Sequence, residues 1–109
     1  MNVIVKRALL FYADRYPQAK TALLTWYYEF LKHEFHTFNE LKAVYGAASI
    51  VANSRVIFNI KGNEYRLILS VNFAQAAAYI IWFGTHKEYD KIDAASIEFD
   101  ATILKYGKN

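Results

Sequence analysis

The apolar positions of this chain follow two periods. Up to about Val44 they recur with helical spacing, and from Val56 onward they alternate. Asn2 to Val5 is a brief β-branched run suited to an edge strand. In Lys6 to Tyr16, the residues Ala8, Leu9, Tyr12, Ala13 and Tyr16 share one helical face. Pro17 ends that helix, since the residue before proline disfavours the α region, and it suits the first position of the next helix. Ala19, Ala22, Leu23, Trp26, Phe30 and Leu31 then carry an apolar stripe to about Glu34. Asn39 to Val44 reads as one further turn capped by Asn39, and Gly46 to Asn53 as a loop.

Beyond Asn53 the pattern predicts a three-stranded meander. Val56, Phe58 and Ile60 alternate with Arg55, Ile57 and Asn59. Lys61-Gly62-Asn63-Glu64 is turn material. Tyr65 to Phe73 is the second strand and Ala77 to Phe83 the third, joined by a weaker turn at Ala74-Gln75-Ala76. Short turns make the strands antiparallel. Centring those turns pairs Asn59 with Arg66, Arg66 with Gly84, and Ile68 with Trp82. One face then holds Phe58, Ile60, Tyr65, Leu67, Leu69, Val71, Tyr79, Ile81 and Phe83, and must pack on the helices. The other holds Asn59, Arg66, Ile68, Ser70, Ala78, Ile80, Trp82 and Gly84. In this register Arg66 faces a residue without a side chain, which gives it room.

The expected fold is therefore α+β: two N-terminal helices on a small antiparallel sheet, with a short helix after the last strand. That helix begins at Thr85, where Thr85 and Glu88 have capping-box spacing. Asp93 is expected to cap a further helix with Ala94, Ile97, Ala101 and Leu104 as its buried side. Gly107 to Asn109 reads as a frayed end.

Composition adds limits. With 109 residues the chain suits one domain, and its 17% aromatic content is enough for a modest core. There is no cysteine, which excludes disulfides and thiolate metal sites and fits a reducing cytoplasm. The formal charge of +3 permits a polyanionic partner without demanding one. No apolar run is long enough for a membrane span, and the N-terminus lacks the order of a signal peptide. His33 and His36 form an H-x-x-H pair, but no third or fourth ligand accompanies them, and imidazoles also suit a helix C-terminus. No metal or cofactor is expected.

The chemistry concentrates in Thr85-His86-Lys87-Glu88-Tyr89-Asp90. Read alone, this is a capped connector helix with solvated charges. The register changes that by bringing Arg66 to the same end of the sheet, with Asn59, Lys61 and Asn63 nearby. His86 and Asp90 share a helix face, so the carboxylate can orient the imidazole. Arg66 and Lys87 can hold a phosphate. The set suits metal-free RNA cleavage, in which a base removes the 2′-OH proton, that oxygen attacks the neighbouring phosphorus, cations stabilise the developing charge, and an acid protonates the leaving oxygen. Each residue also has a plainer reading: Arg66 an exposed strand position, Lys87 a solvated charge, Tyr89 a packing residue, Lys61 and Asn63 turn formers.

Tyr16-Pro17-Gln18, Leu41-Lys42-Ala43-Val44, Phe58-Asn59-Ile60-Lys61-Gly62-Asn63-Glu64-Tyr65-Arg66-Leu67 and Thr85-His86-Lys87-Glu88-Tyr89-Asp90 together resemble the HigB toxins of bacterial type II toxin–antitoxin modules. The likeness runs from about Val3 to Ile92. It implies a RelE/ParE-like fold and a ribosome-dependent, metal-independent endoribonuclease that cleaves mRNA in the cytoplasm. It also implies a helix-turn-helix antitoxin of the HigA type as partner, with DNA engaged only through that antitoxin. On the matching positions it implies Arg66 for phosphate stabilisation, His86 or Tyr89 as acid/base, Lys87 as RNA contact or charge stabiliser, and Asp90 orienting His86. Asn59, Lys61 and Asn63 are expected to contact RNA. The tail, residues 93–109, matches no pattern and receives no role. A non-enzymatic toxin that blocks a protein target, as ParE-type relatives do, is the alternative on the same fold. A binding module without toxicity is a third.

Overall fold

The computed structural model describes residues 1–4 and 6–107. Val5, the last residue of the expected edge strand, and Lys108 and Asn109 of the expected frayed end lie outside the described residues. The elements run β1 (Asn2–Ile4), α1 (Lys6–Arg15), α2 (Lys20–Leu31), α3 (Phe38–Val44), β2 (Ser49–Val51), β3 (Arg55–Ile60), β4 (Tyr65–Asn72), β5 (Ala77–Thr85) and α4 (His86–Tyr89). The five strands form one sheet of order β1-β5-β4-β3-β2. Among the described residues only β1 is parallel to its neighbour, with Asn2 opposite Ala77.

The helical stripes bury the faces expected of them. Ala8, Leu9, Tyr12 and Ala13 of α1, and Leu23, Trp26, Tyr27 and Phe30 of α2, enter the core. Pro17–Ala19 forms a single 3₁₀ turn between them, with Pro17 at its first position. The second helix stops at Leu31, short of Glu34. Its last turn tightens as Lys32 and His33 donate to the carbonyls of Glu29 and Phe30, three residues back. The Met1 ammonium donates to the carbonyls of Leu31 and His33, placing a positive charge at the helix's negative end. The cap of α3 is Thr37, not Asn39. Thr37 is extended and its hydroxyl accepts the Glu40 N–H at 3.1 Å, while Asn39 lies inside the first turn. Part of the expected loop at Gly46–Asn53 is β2, whose Ser49, Ile50 and Val51 extend the sheet beyond β3.

The meander has the expected register at the end that matters for chemistry. Asn59 pairs with Arg66, Arg66 with Gly84, and Ile68 with Trp82. A bulge then intervenes, so that Leu69 pairs with Ile80 and Ile81 is the extra residue. One inserted residue reverses the facing of everything on its far side. Tyr79 and Ile81 accordingly sit on the face away from α1 and α2, and Ala78 and Ile80 take the helix-covered face, the reverse of the sequence expectation.

The second face is covered by the tail. Ile57, Ile68 and Ile81 pack with Ala94, flanked by Tyr89, Ile92, Ile97 and Phe99. The helix expected from Asp93 does not form. Asp93 caps one turn, accepting from the Ala95 N–H and the Ser96 hydroxyl. Arg55 then takes the Ala94 and Ile97 carbonyls at 2.9 and 2.7 Å, groups that a continuing helix would need for itself. The chain crosses the sheet and closes with a 3₁₀ turn, Ala101–Lys105, capped by Asp100. Ile103, not Leu104, is its buried residue. Arg7 donates to the Leu104 carbonyl at 2.7 Å and Tyr106 packs edge-on against Phe11, so the tail returns to α1.

Candidate active site

The site lies where the β3–β4 turn, the ends of β4 and β5, and α4 meet. In the turn, Lys61 and Gly62 both take left-handed backbone, φ 54° and 64°, which glycine adopts without strain. The Glu64 N–H donates to the Lys61 carbonyl at 3.3 Å, and Lys61 Nζ lies 3.4 Å from Glu64 Oε2. Both partners of that pair are exposed, so it contributes little to stability.

Arg66 is turned toward this loop. Its guanidinium donates to Asn63 Oδ1 at 2.7 Å and to the carbonyls of Asn63 and Tyr65 at 3.1 and 3.2 Å. All three acceptors are neutral, and among the described residues Arg66 makes no ion pair. Its charge thus stays unneutralised and is held in place by Asn63. The guanidinium carbon also stands 5.9 Å from the centroid of the Tyr89 ring. The space opposite Arg66 is not vacant as the sequence suggests. A Cβ on Gly84 would come within 2.6 and 2.7 Å of the Trp82 ring and 3.0 Å of Glu88 Oε1. Gly84 admits the indole of Trp82, two residues before it on β5; it does not make room for Arg66.

Helix α4 starts with the capping box its spacing predicts. Thr85 Oγ1 accepts the Glu88 N–H at 3.1 Å, and Glu88 Oε1 accepts the Thr85 N–H at 2.9 Å. The His86 N–H donates to the Glu64 carbonyl at 2.9 Å, which ties the helix start to the turn beside Arg66. Within α4, His86 Nδ1 lies 3.1 Å from Asp90 Oδ2. A carboxylate there favours the tautomer with its proton on Nδ1 and leaves Nε2 as the basic nitrogen. Tyr89 packs partly under the sheet, its ring 6.2 Å from that of Trp82. Burial raises its hydroxyl pKa; Arg66 opposes the rise, and Asp90 and Asp93 add to it.

The structure thus brings together Arg66, Asn63, Tyr89, His86 and Asp90. Asn59 is exposed beside Arg66, and Lys61 and Asn63 stand in the turn. Lys87 is exposed and has no ion-pair partner among the described residues. His33 and His36 lie apart from this constellation: His33 stacks on Phe35, and His36 Nδ1 lies 3.2 Å from Glu40. Among the described residues no three His, Cys, Asp or Glu side chains gather as a metal site would require.

Sequence reasoning left two residues without a role here. Trp82 fills the space over Gly84 and borders Tyr89. Tyr16, in the loop after α1, donates its hydroxyl to Glu88 Oε1 at 2.7 Å. The Tyr16-Pro17-Gln18 segment was a signal available for the second, though nothing in its spacing told that it reaches α4.

A family model described as HigB toxin, the RelE-like toxic component of a toxin–antitoxin system, matches residues 19–92. The chain belongs to the HigB toxin family. It is 36% identical over 92 residues to the "mRNA interferase toxin HigB" of Escherichia coli (strain K12), covering 83% of this chain and 88% of that protein. The "mRNA interferase HigB" of Escherichia coli O157:H7 and that of Shigella flexneri align with the same identity and coverage. Every candidate site residue from Asn59 to Asp90 falls inside the family match, which stops at Ile92. The tail that covers the second face of the sheet lies beyond it. No helix among the described residues is long and apolar enough to cross a membrane.

Proposed function

We propose that this toxin is an endoribonuclease that cuts mRNA on the translating ribosome, using side chains of the β4–α4 corner and no metal. The observation that carries the reading is the His86–Asp90 pair at 3.1 Å on the short helix whose first N–H is bonded to the turn beside Arg66. The names of the relatives, mRNA interferases at 36% identity, supply the substrate class.

In this reading His86 Nε2 takes the proton of a ribose 2′-OH. The freed oxygen attacks the adjacent phosphorus, and the bond from phosphorus to the 5′-oxygen breaks. Arg66, whose fork is held by neutral acceptors, stabilises the charge that builds on the phosphoryl oxygens. Lys87 adds a second cation. The leaving 5′-oxygen receives a proton, from the imidazolium directly or through water. Tyr89, a phenol that is protonated at neutral pH and whose pKa burial pushes further up, serves as a hydrogen-bond donor and as a face for the Arg66 guanidinium. Asn59, Lys61 and Asn63 line the approach of the RNA, with Asn63 also positioning Arg66. Residues 1–109 act as one domain. The partner is a helix-turn-helix antitoxin of the HigA type, DNA is engaged only through it, and the site of action is the cytoplasm.

Induced expression tests this reading. Wild-type protein is expected to arrest growth and fragment messages, while soluble Arg66→Ala and His86→Ala variants do neither. A toxin that blocks a protein target would keep its toxicity in both variants and leave messages intact, which is the outcome that replaces this reading with the non-enzymatic one.

A further inference from the structure

Tyr16 is far from the site in sequence and joined to it in space. Its hydroxyl donates to Glu88 Oε1 at 2.7 Å, across 72 positions of chain. The same oxygen accepts the Thr85 N–H at 2.9 Å, so one carboxylate oxygen serves both the cap of α4 and the end of α1. The Tyr16 ring is itself fixed. It meets Tyr65 edge-on at 5.7 Å and Phe83 edge-on at 5.6 Å, and those two rings stack on each other at 5.4 Å. Tyr65 precedes Arg66 and Phe83 precedes Gly84, so Tyr16 is braced on the two strand ends that hold the site. On its outer side the Arg15 guanidinium stands 5.8 Å from the ring.

α4 needs such a brace. It is one turn long, none of its residues is fully buried, and it carries His86, Lys87 and Tyr89 with Asp90 at its end. A helix this short has little stability of its own. The capping box fixes its start, but those hydrogen bonds lie within the helix and its cap and do not set its orientation on the sheet. Contacts with rigid neighbours set it: from the sheet the Glu64 carbonyl, which accepts the His86 N–H, and Trp82 beside Tyr89, and from outside the sheet Tyr16, through its bond to Glu88.

We propose that Tyr16 is a positioning residue for catalysis: through Glu88 it holds α4, and with it the His86–Asp90 pair, at a fixed orientation against Arg66. Tyr16 itself touches no reacting atom. The proposal rests on the endoribonuclease reading for its catalytic consequence, while its structural half stands alone. A cleft of about 270 Å³, bordered by Tyr12, Arg15, Tyr16, Trp82 and Glu88, adjoins the bond. Water can therefore replace the lost hydroxyl in Tyr16→Phe and keep Glu88 solvated. Water does not replace the brace, because it is not attached to α1.

The test compares wild type, Tyr16→Phe, Glu88→Ala and the double variant. Two readouts are taken on each: amide hydrogen exchange at Glu88 and Asp90, and single-turnover cleavage of mRNA on programmed ribosomes. Tyr16→Phe keeps the ring packing, so its folded content and melting temperature are expected to stay near wild type. Exchange at both amides is expected to quicken several-fold. The cleavage rate at saturating ribosome is expected to fall roughly tenfold, with half-saturation within about twofold, since misplacing a catalytic group by a fraction of an ångström costs rate before it costs binding. In the Glu88→Ala background the tyrosine substitution is expected to add nothing, because its route to α4 is already cut. Unchanged exchange and unchanged cleavage in Tyr16→Phe would overturn the proposal, and so would an equal loss in both backgrounds. If the wild type cleaves no message, the endoribonuclease reading fails; the exchange measurement still decides whether Tyr16 braces α4.

Discussion

His86 Nδ1 and Asp90 Oδ2 stand 3.1 Å apart on one face of a helix that is a single turn long. The pair sets which imidazole nitrogen is free, and so sets what the histidine can do. Asp90→Asn removes the charge but keeps the shape, and allows the wrong tautomer. Cleavage is expected to fall about tenfold or more, against roughly 100- to 10,000-fold for His86→Ala, the usual range for a lost acid/base. Equal, full activity of both variants in a ribosome cleavage assay would remove the pair from the mechanism.

Arg66 is held by Asn63 through neutral acceptors, so its role depends on its fork as well as its charge. Arg66→Lys keeps the charge and loses the planar geometry that matches a phosphate. It is expected to behave more like Arg66→Ala than like wild type in cleavage rate. Asn63→Ala is expected to show a smaller loss by freeing the guanidinium. Wild-type kinetics for Arg66→Lys would mean that a point charge is sufficient there.

Gly84 is required by the Trp82 ring. A methyl group would enter to 2.6 Å of it, closer than Cβ contacts allow. Gly84→Ala is therefore expected to lower stability by roughly 1–3 kcal/mol, as overpacking does, and to displace the indole from beside Tyr89. Urea denaturation measures the first effect and tryptophan fluorescence the second. Unaltered midpoint and spectrum would show that the indole yields freely.

Much of this corner was legible in sequence for a reason that can be named. The Lys61–Glu64 turn and the Thr85–Glu88 capping box are local chemistry, and local chemistry fixes a register over the few residues beside it. Hence Asn59 and Arg66 align as the β3–β4 turn dictates; Gly84 comes opposite Arg66 only because the bulge shifts by one residue the register that Asn72 and Ala77 set beside the β4–β5 turn. The bulge at Ile81 was not legible. Tyr79, Ile80 and Ile81 are all apolar, so both facings bury comparable side chains and the alternation carries no preference. The tail was not legible either: what stops its helix is Arg55, 39 and 42 positions away from the residues whose carbonyls it takes, Ala94 and Ile97. Spacing also finds the cap of α4 but not its brace, because Tyr16 and Glu88 are linked only by the folded chain.

The tail is expected to be structural. Ile103 is 1% exposed and seats the returning 3₁₀ turn on the main core. Ile103→Ala is expected to cost roughly 2–5 kcal/mol in urea denaturation. A loss below the lower figure would mean that the turn packs loosely on α1.

Glu88 gives a pH dependence with a definite sign. Burial by itself would raise its carboxyl pKa, but hydrogen bonds from the Thr85 N–H, the Tyr16 hydroxyl and the Thr85 side chain outweigh that and hold it below its usual value. A group depressed in the folded state stabilises the protein above its unfolded pKa, and that stabilisation is lost as pH falls through the folded one. Wild type is thus expected to exceed Glu88→Gln in stability near neutral pH, with the gap closing in acid. A gap that is constant with pH would contradict the assignment.

The mechanism proposed for the β4–α4 corner cuts the message by attack of a ribose 2′-oxygen on the adjacent phosphorus. The chemistry of the cut ends tests it most directly. Purified toxin is incubated with programmed ribosomes, and the message fragments are analysed for their termini. The expected products are a 2′,3′-cyclic phosphate, or the 3′-phosphate that it hydrolyses to, on the upstream fragment and a 5′-hydroxyl on the downstream one, with no cleavage by His86→Ala. Fragments ending in a 3′-hydroxyl and a 5′-phosphate would contradict it, because that pair of ends requires attack by water and leaves the 2′-oxygen unused.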